Sequence, residues 1–140
     1  MKYTYTRQSE MVMFLTLQAN DKRPLYQQIT DGIKALIAGG NLSEGVALPS
    51  VRQVAGDLGV NLNTVAAAYR QLQDEGFVTV RHGAGAVIAS RTSRPVDGAE
   101  LYQPLRTALT QLVLSGLSGR EIEETVRQEL ALLQQKGDAR

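Results

Sequence analysis

The chain has 140 residues, 43% of them hydrophobic, and its 15 Lys or Arg nearly balance its 14 Asp or Glu. This length allows one modest core and a small appendage, which excludes a large separate ligand-binding domain. Without Cys and with one His, thiol chemistry and zinc sites built from Cys or several His are excluded, and no apolar run approaches the roughly 20 residues of a membrane helix.

Residues 1–20 are predicted to form an N-terminal arm. The first ten are polar and suit a mobile segment, whereas FLTLQ alternates apolar and polar residues at the period of a short strand. The arm lacks the hydrophobic block of a signal peptide. Together with the absence of Cys, this favours a cytoplasmic protein.

A first helix is predicted to open a domain that spans residues 21–91. Pro24 suits the first helical position, and apolar residues recur at helical spacing from Leu25 to Ile37, after which two glycines interrupt the pattern. Tyr26, at the edge of this stripe, is predicted to lie in the core. A contact between its hydroxyl and a phosphate is the alternative.

Residues 48–76 have the spacing of a helix-turn-helix. Ser50 suits the N-cap of a helix over residues 51–58, Gly59 can end that helix with a positive φ, and Asn61 suits the cap of a second helix over residues 61–75. The inward stripe of the second helix is Val65, Ala68, Tyr69 and Leu72. Its outward face is Asn63, Ala66, Ala67 and Arg70.

This small, polar outward face suits a helix that enters a DNA major groove, which is about 12 Å wide. Asn63 is the better candidate for a base contact, while Asn61 either caps the helix or contacts DNA. The hydroxyls of Ser50 and Thr64 are suited to phosphate oxygens.

FVTVR, HGAG and AVIAS predict two strands around a glycine turn, which together would form a wing. Gly83 and Gly85 would let the tip approach a sugar-phosphate backbone closely. His82 has no neighbouring Ser or Cys nucleophile with an orienting acid, so we predict no catalytic residue. The GxG alone, without a Walker or dinucleotide motif around it, does not predict nucleotide binding.

The charge is unevenly distributed along the chain. Residues 21–94 carry eight Lys or Arg against six Asp or Glu, whereas residues 95–140 carry five against seven. No acid occurs from Gly76 to Val96, a stretch that contains Arg81, His82, Arg91 and Arg94. Cationic charge is thus local to the predicted wing, as expected for a surface that meets phosphates.

Residues 92–98 are polar, contain Pro and Gly, and are predicted to be a linker. Beyond them, residues 99–137 predict two amphipathic helices, with a break near Gly116 and a capping box formed by Ser118 and Glu121. A hairpin this short cannot bury both apolar stripes on itself. Its stripes must meet either the preceding domain or a second chain, and we favour a homodimer because two-fold symmetry doubles the base contacts.

The segment LPSVRQVAGDLGVNLNTVAAAYRQLQDEGFVTVRHGAG resembles the winged-helix domain of GntR-family bacterial transcription regulators. PLYQQI and VNLNTVAAAY are similar to the YtrA-like subfamily in particular, and the resemblance covers about residues 17–89. It implies a homodimeric regulator, usually a repressor, that binds a near-palindromic operator, and a helical dimerisation appendage.

Matched position by position, the resemblance implies a phosphate contact at Arg52, hydroxyl contacts at Ser50 and Thr64, and wing contacts at His82 and Gly83. Other branches of the family often have Arg at the positions of Leu62 and Ala66. The operator sequences of those branches therefore do not predict the operator of this chain.

The predicted architecture is mainly α with a small β-wing: a winged helix-turn-helix domain followed by a C-terminal two-helix dimerisation appendage. The predicted function is a DNA-binding repressor with double-stranded DNA and a second copy of the chain as partners, and with no cofactor or metal. A protein-interaction module of the same fold is the rival hypothesis, and an unidentified small effector at the junction of domain and appendage is an additional one. The predicted DNA-binding residues are Ser50, Arg52, Asn61, Asn63, Thr64, Arg70, Arg81, His82 and Gly83.

Overall fold

The structure, a computed structural model, describes residue 17 and residues 20–83, 85–90 and 98–138. Within these ranges the chain forms five helices and one two-stranded antiparallel sheet, which confirms the predicted mainly helical class with a small β-wing. The helices are α1 (Leu25–Ala38), α2 (Val51–Leu58), α3 (Leu62–Asp74), α4 (Gly98–Leu114) and α5 (Gly119–Asp138). The strands are β1 (Val78–Arg81) and β2 (Gly85–Ile88).

The core of the winged domain lies where α3 packs against both α1 and α2. Apolar residues three and four apart place one face of each helix inward, as in Ile29 and Ile33 of α1 and Val65 and Leu72 of α3, all fully buried. Val78 and Ile88 of the sheet close the same core. Leu17 packs against it and is partly buried, while the other residues of the predicted strand FLTLQ lie outside the described residues.

The prediction that Tyr26 belongs to the core is wrong, because the residue is 38% exposed. The buried part of α1 begins only at Gln28. Among the described residues, the first turn of the helix therefore extends beyond the elements that pack on it, and periodicity alone cannot show where such packing ends.

The helix-turn-helix has the predicted caps. The Gln53 amide donates to Ser50 Oγ at 3.1 Å, and the Asn63 amide donates to Asn61 Oδ1 at 2.8 Å. Gly59 ends α2 with φ of 68°, a left-handed conformation that residues with a Cβ rarely adopt. These local interactions end α2 at Leu58 and begin α3 at Leu62.

The strands of the wing pair in the register that places Val78 opposite Ile88 and Arg81 opposite Gly85. A third segment, which the sequence did not predict, pairs with the other edge of β2. The Leu48 amide donates to the Ala86 carbonyl at 2.8 Å, and the Ile88 amide donates to the Val46 carbonyl at 2.9 Å. The wing is thereby joined to the residues immediately before α2.

Two side-chain contacts connect the elements around α3. The buried Tyr69 hydroxyl donates to the Pro49 carbonyl at 2.6 Å, and burial raises the pKa of Tyr69. Lys34 Nζ lies 2.6 Å from Glu75 Oε2 and 5.3 Å from the centroid of the Phe77 ring. The first contact joins α3 to the start of α2, and the second joins it to α1.

The C-terminal hairpin is far less buried than the winged domain. The Glu121 amide donates to Ser118 Oγ at 3.2 Å, which is the first half of the predicted capping box. Gly98 is predicted to be the last linker residue, but its backbone is already helical and it is the first residue of α4. Residues 91–97 lie outside the described residues. Helix α5 contacts α1, and Ile122 is buried, but α4 has no buried residue.

The apolar face of the hairpin is consequently open in the single chain, and Leu114 is 82% exposed. The other large apolar side chains that α4 and α5 expose are Leu101, Tyr102, Leu105, Val113, Val126, Leu130 and Leu132.

No helix within the described residues is long and apolar enough to cross a membrane.

Candidate nucleic-acid interface

A cleft of about 540 Å³ separates α3 from the wing. Its floor and walls are mainly apolar, and Ser50 and Arg70 add a hydroxyl and a guanidinium. The cleft exists because residues 45–48 pair with β2 and hold the sheet beside the start of α2. The residues that line it are Leu48, Pro49, Ser50, Val51, Ala66, Tyr69, Arg70, Gln73, Val78, Val80, Gly85 and Ala86.

The N-terminal turn of α3 presents polar side chains to solvent. Asn61 is exposed, and its side-chain oxygen caps the helix. Asn63 is exposed, with its side chain available, whereas Thr64 is half-buried. Asn61 therefore caps the helix in the free protein. Asn63 is the residue of this turn whose exposed side chain can reach a ligand.

The start of α2 lies beside the cleft. Ser50 is exposed although its Oγ accepts the Gln53 amide as an N-cap. A hydroxyl that accepts this bond can still donate its own hydrogen to a phosphate oxygen. Arg52 is exposed in the first turn of α2 but does not line the cleft.

The wing carries cationic groups at its far end. Arg81 ends β1, and His82 and Gly83 follow in the turn, all three exposed. Gly83 has φ of 83°, so the turn uses a conformation that favours glycine. These residues do not line the cleft, and they form the tip of the wing that borders it.

The cations of this surface are not neutralised within the described part of the chain. The ion pairs found there engage Arg23 and Lys34, and none engages Arg52, Arg70 or Arg81. Arginines that already hold a carboxylate would have to give up that partner to bind a phosphate. The three unpaired arginines are free of this cost.

The predicted outward face of α3 needs correction at two positions. Ala66 and Ala67 are half-buried rather than bare, and Ala66 lines the cleft, because Val78 and Val80 of β1 stand on its opposite side. Asn63 and Arg70 are exposed as predicted.

Several residues of this surface were not predicted from the sequence. Gln73 lines the cleft two turns beyond Ala66, and Leu48 and Pro49 line it from the segment that pairs with β2. Leu62, which is not part of the predicted inward stripe, is the first residue of α3 and is 44% exposed.

The arrangement is suited to double-stranded DNA. A helix with a polar N-terminal turn can enter a major groove, and a wing tip with Arg and Gly can follow the sugar-phosphate backbone beside it. Side chains of the predicted set come from α2, α3 and the wing, which are separate segments of the chain. The fold brings Ser50 and Arg70 to one cleft, with the other predicted residues around it.

Comparisons with known proteins agree with this geometry. The model of the family described as "Bacterial regulatory proteins, gntR family" matches residues 25–88, which include α1, the helix-turn-helix and the wing. The chain is 35% identical to the HTH-type transcriptional regulator YhcF of Bacillus subtilis (strain 168), over 71% of this chain and 76% of that protein. It is 29% identical to the HTH-type transcriptional repressor YtrA of the same organism, over 79% of this chain and 85% of that protein.

Solved structures show the same relationship. A structure described as a transcriptional antiterminator from Listeria monocytogenes EGD-e superposes with a TM-score of 0.77 at 31% identity, covering 85% of this chain and 91% of that one. YtrA from Sulfolobus acidocaldarius, a GntR-family transcription factor, superposes with a TM-score of 0.57 at 40% identity, covering 66% of this chain and 98% of that one. The chain therefore belongs to the gntR family of bacterial regulatory proteins and is a YtrA-like transcriptional regulator with a DNA-binding domain.

Proposed function

We propose that this protein is a cytoplasmic repressor that binds a near-palindromic operator as a homodimer. The observation that carries the proposal is the exposed, polar N-terminal turn of α3 beside a wing and a set of unpaired arginines. The Bacillus subtilis relative YtrA is named as a transcriptional repressor, which supports repression rather than activation. Occupation of a promoter would then block transcription.

The proposed contacts divide into two kinds. Arg52, Ser50, Thr64 and Arg70 would hold phosphates and fix the position of the domain on the duplex, since such contacts carry no sequence information. Asn63 would contact a base edge, because an amide can bond adenine in two places. Asn61, which caps α3, would contact DNA beside Asn63. At the tip of the wing, Arg81, His82 and Gly83 would approach the sugar-phosphate backbone or the minor groove of the DNA.

The homodimer is supported by the open apolar face of the hairpin. Helix α4 buries no residue in the single chain, and the exposed apolar side chains of α4 and α5 together would remain in water. Contiguous exposed apolar surface marks an interaction site in soluble proteins. A second copy would cover this surface under two-fold symmetry and place two α3 helices on the two halves of a palindrome.

The test is selection of random double-stranded DNA by the full chain at moderate salt, followed by salt titration on the enriched sequence. We expect a palindrome bound by two chains, with affinity that falls steeply as salt rises. The protein-interaction hypothesis predicts no enriched sequence and weak dependence on salt. That outcome would overturn the proposal.

Two variants separate the two kinds of contact. Asn63→Ala should lower the ratio of operator to non-specific affinity by about tenfold or more, because it removes a base contact. Arg52→Ala should weaken both affinities and reduce the slope of the salt dependence by about one for each protomer. Arg120→Ala, which removes an exposed charge from α5, is the matched control, and equal binding by all three variants and the parent would contradict the assignment.

A further inference from the structure

Leu62 is a large apolar residue in an unexpected place. It is the first residue of α3, it is 44% exposed, and its neighbours Asn61 and Asn63 are exposed polar residues. It does not belong to the core cluster, although Val65, three residues later, is completely buried. Packing within the described part of the chain therefore does not account for the leucine.

The position of Leu62 decides what this side chain can meet. Cα–Cβ bonds tilt toward the N-terminus of a helix, so the side chain of the first residue points past the end of α3. Ala66, one turn later on the same side, lines the cleft. Leu62 thus lies on the cleft side of the helix, at the end that reaches base edges when α3 enters a major groove.

The chemistry of the groove limits what an apolar side chain can recognise. Among the four bases, only thymine presents a methyl group in the major groove, at C5, beside the hydrogen-bonding groups that every base pair offers. A leucine cannot bond to the polar edges and would displace their water without replacing it. Against a thymine methyl, the same side chain removes two apolar groups from water together.

We propose that Leu62 is a specificity-determining residue that packs against the C5-methyl group of a thymine in each operator half-site. This inference rests on the proposed function, and it adds a base identity to it. It predicts a thymine at one fixed position of each half-site. Replacing that thymine by any other base should lower the affinity of the protein for the operator. 5-Methylcytosine would be the partial exception, since it carries the same methyl group.

The test uses the operator obtained by selection and replaces its thymines by deoxyuridine, one symmetric pair at a time. Deoxyuridine keeps every hydrogen-bonding group and lacks only the methyl. At one position we expect the affinity of the parent protein to fall about fourfold for each half-site, the affinity equivalent of burying one methyl group. Leu62→Ala should bind the thymine and uracil forms of that operator within about twofold of each other.

Leu25→Ala is the matched control, because Leu25 is also a leucine at the first position of a helix, is 41% exposed, and lies outside the cleft and the proposed DNA contacts. It should keep the full response to deoxyuridine at the position assigned to Leu62. Leu62 lies at a partly exposed helix end, so its truncation should leave the folded state intact, which thermal unfolding of both variants checks.

The outcomes separate this inference from the function on which it rests. Failure to select any DNA would overturn the proposed function. An operator that the parent protein binds equally well with thymine and uracil at every position would overturn the role of Leu62 alone. The same holds if Leu62→Ala keeps the parent's preference for thymine, since another group would then contact the methyl.

Discussion

The winged domain and the C-terminal hairpin of this protein differ in how completely each buries its own apolar residues. In the winged domain, Ile33, Val65 and Leu72 have no exposed surface. In the hairpin, α4 has no buried residue, and Leu114 is 82% exposed. The amphipathic pattern is present in both regions, so the pattern alone does not say whether a chain can cover its own apolar face.

The difference follows from the number of elements that surround each stripe. Helix α3 is covered by α1, by α2 and by β1 of the wing, so its buried side chains have neighbours on several sides. Within the described part of the chain, helix α4 packs mainly beside α5, and α5 also contacts α1. Two helices leave most of each other's surface in water. The winged domain therefore folds around its own core, whereas the hairpin has surface for a partner.

The largest effect is expected when the core of the winged domain is broken. Leu72→Ala removes a side chain with 0% exposure and should lower the free energy of unfolding by about 3 kcal/mol, through lost burial and the cavity that remains. Urea unfolding followed by circular dichroism measures the change. A loss below about 1 kcal/mol would show that the core adjusts and that its packing is looser than the burial implies.

The same substitution in the hairpin should affect association instead. Leu105 is 48% exposed in the single chain, so Leu105→Ala should change the free energy of unfolding of the monomer by less than about 1 kcal/mol. It should raise the dissociation constant of the homodimer about tenfold or more, because symmetry removes two side chains from one interface. Analytical ultracentrifugation over a range of concentrations measures this constant. An unchanged constant would mean that the open face of α4 is not the dimer contact.

A smaller effect is expected at the contact that joins α3 to the start of α2. Tyr69→Phe deletes the hydroxyl that donates to the Pro49 carbonyl and should lower the free energy of unfolding by about 1 kcal/mol. Burial raises the Tyr69 pKa, so the unfolded chain loses this proton first, and stability should fall as pH rises above about 10. Unfolding measured at pH 8 and pH 11 should show a smaller loss at high pH in Tyr69→Phe than in the parent, and equal losses would contradict this account.

The sequence predicted well those features that depend on neighbouring residues. Ser50, Gly59 and Asn61 act as caps and a helix end in the structure as their chemistry predicts. The two strands of the wing likewise follow from β-formers around a glycine turn. Each of these signals is local, because a cap or a turn is completed within a few residues of the one that makes it.

The outcomes that the sequence could not determine all depend on contacts between distant segments. Residues 45–48 have no strand pattern and pair with β2 only because the fold brings that edge beside them. Tyr26, at the edge of a predicted apolar stripe, is exposed, because the buried part of α1 begins only at Gln28 within the described residues. The cleft between α3 and the wing likewise follows from that long-range pairing. The sequence by itself determined the helices, their caps and the gntR-type pattern, since these rest on local chemistry, whereas the tertiary structure decided which faces are covered, since burial is a property of the whole arrangement.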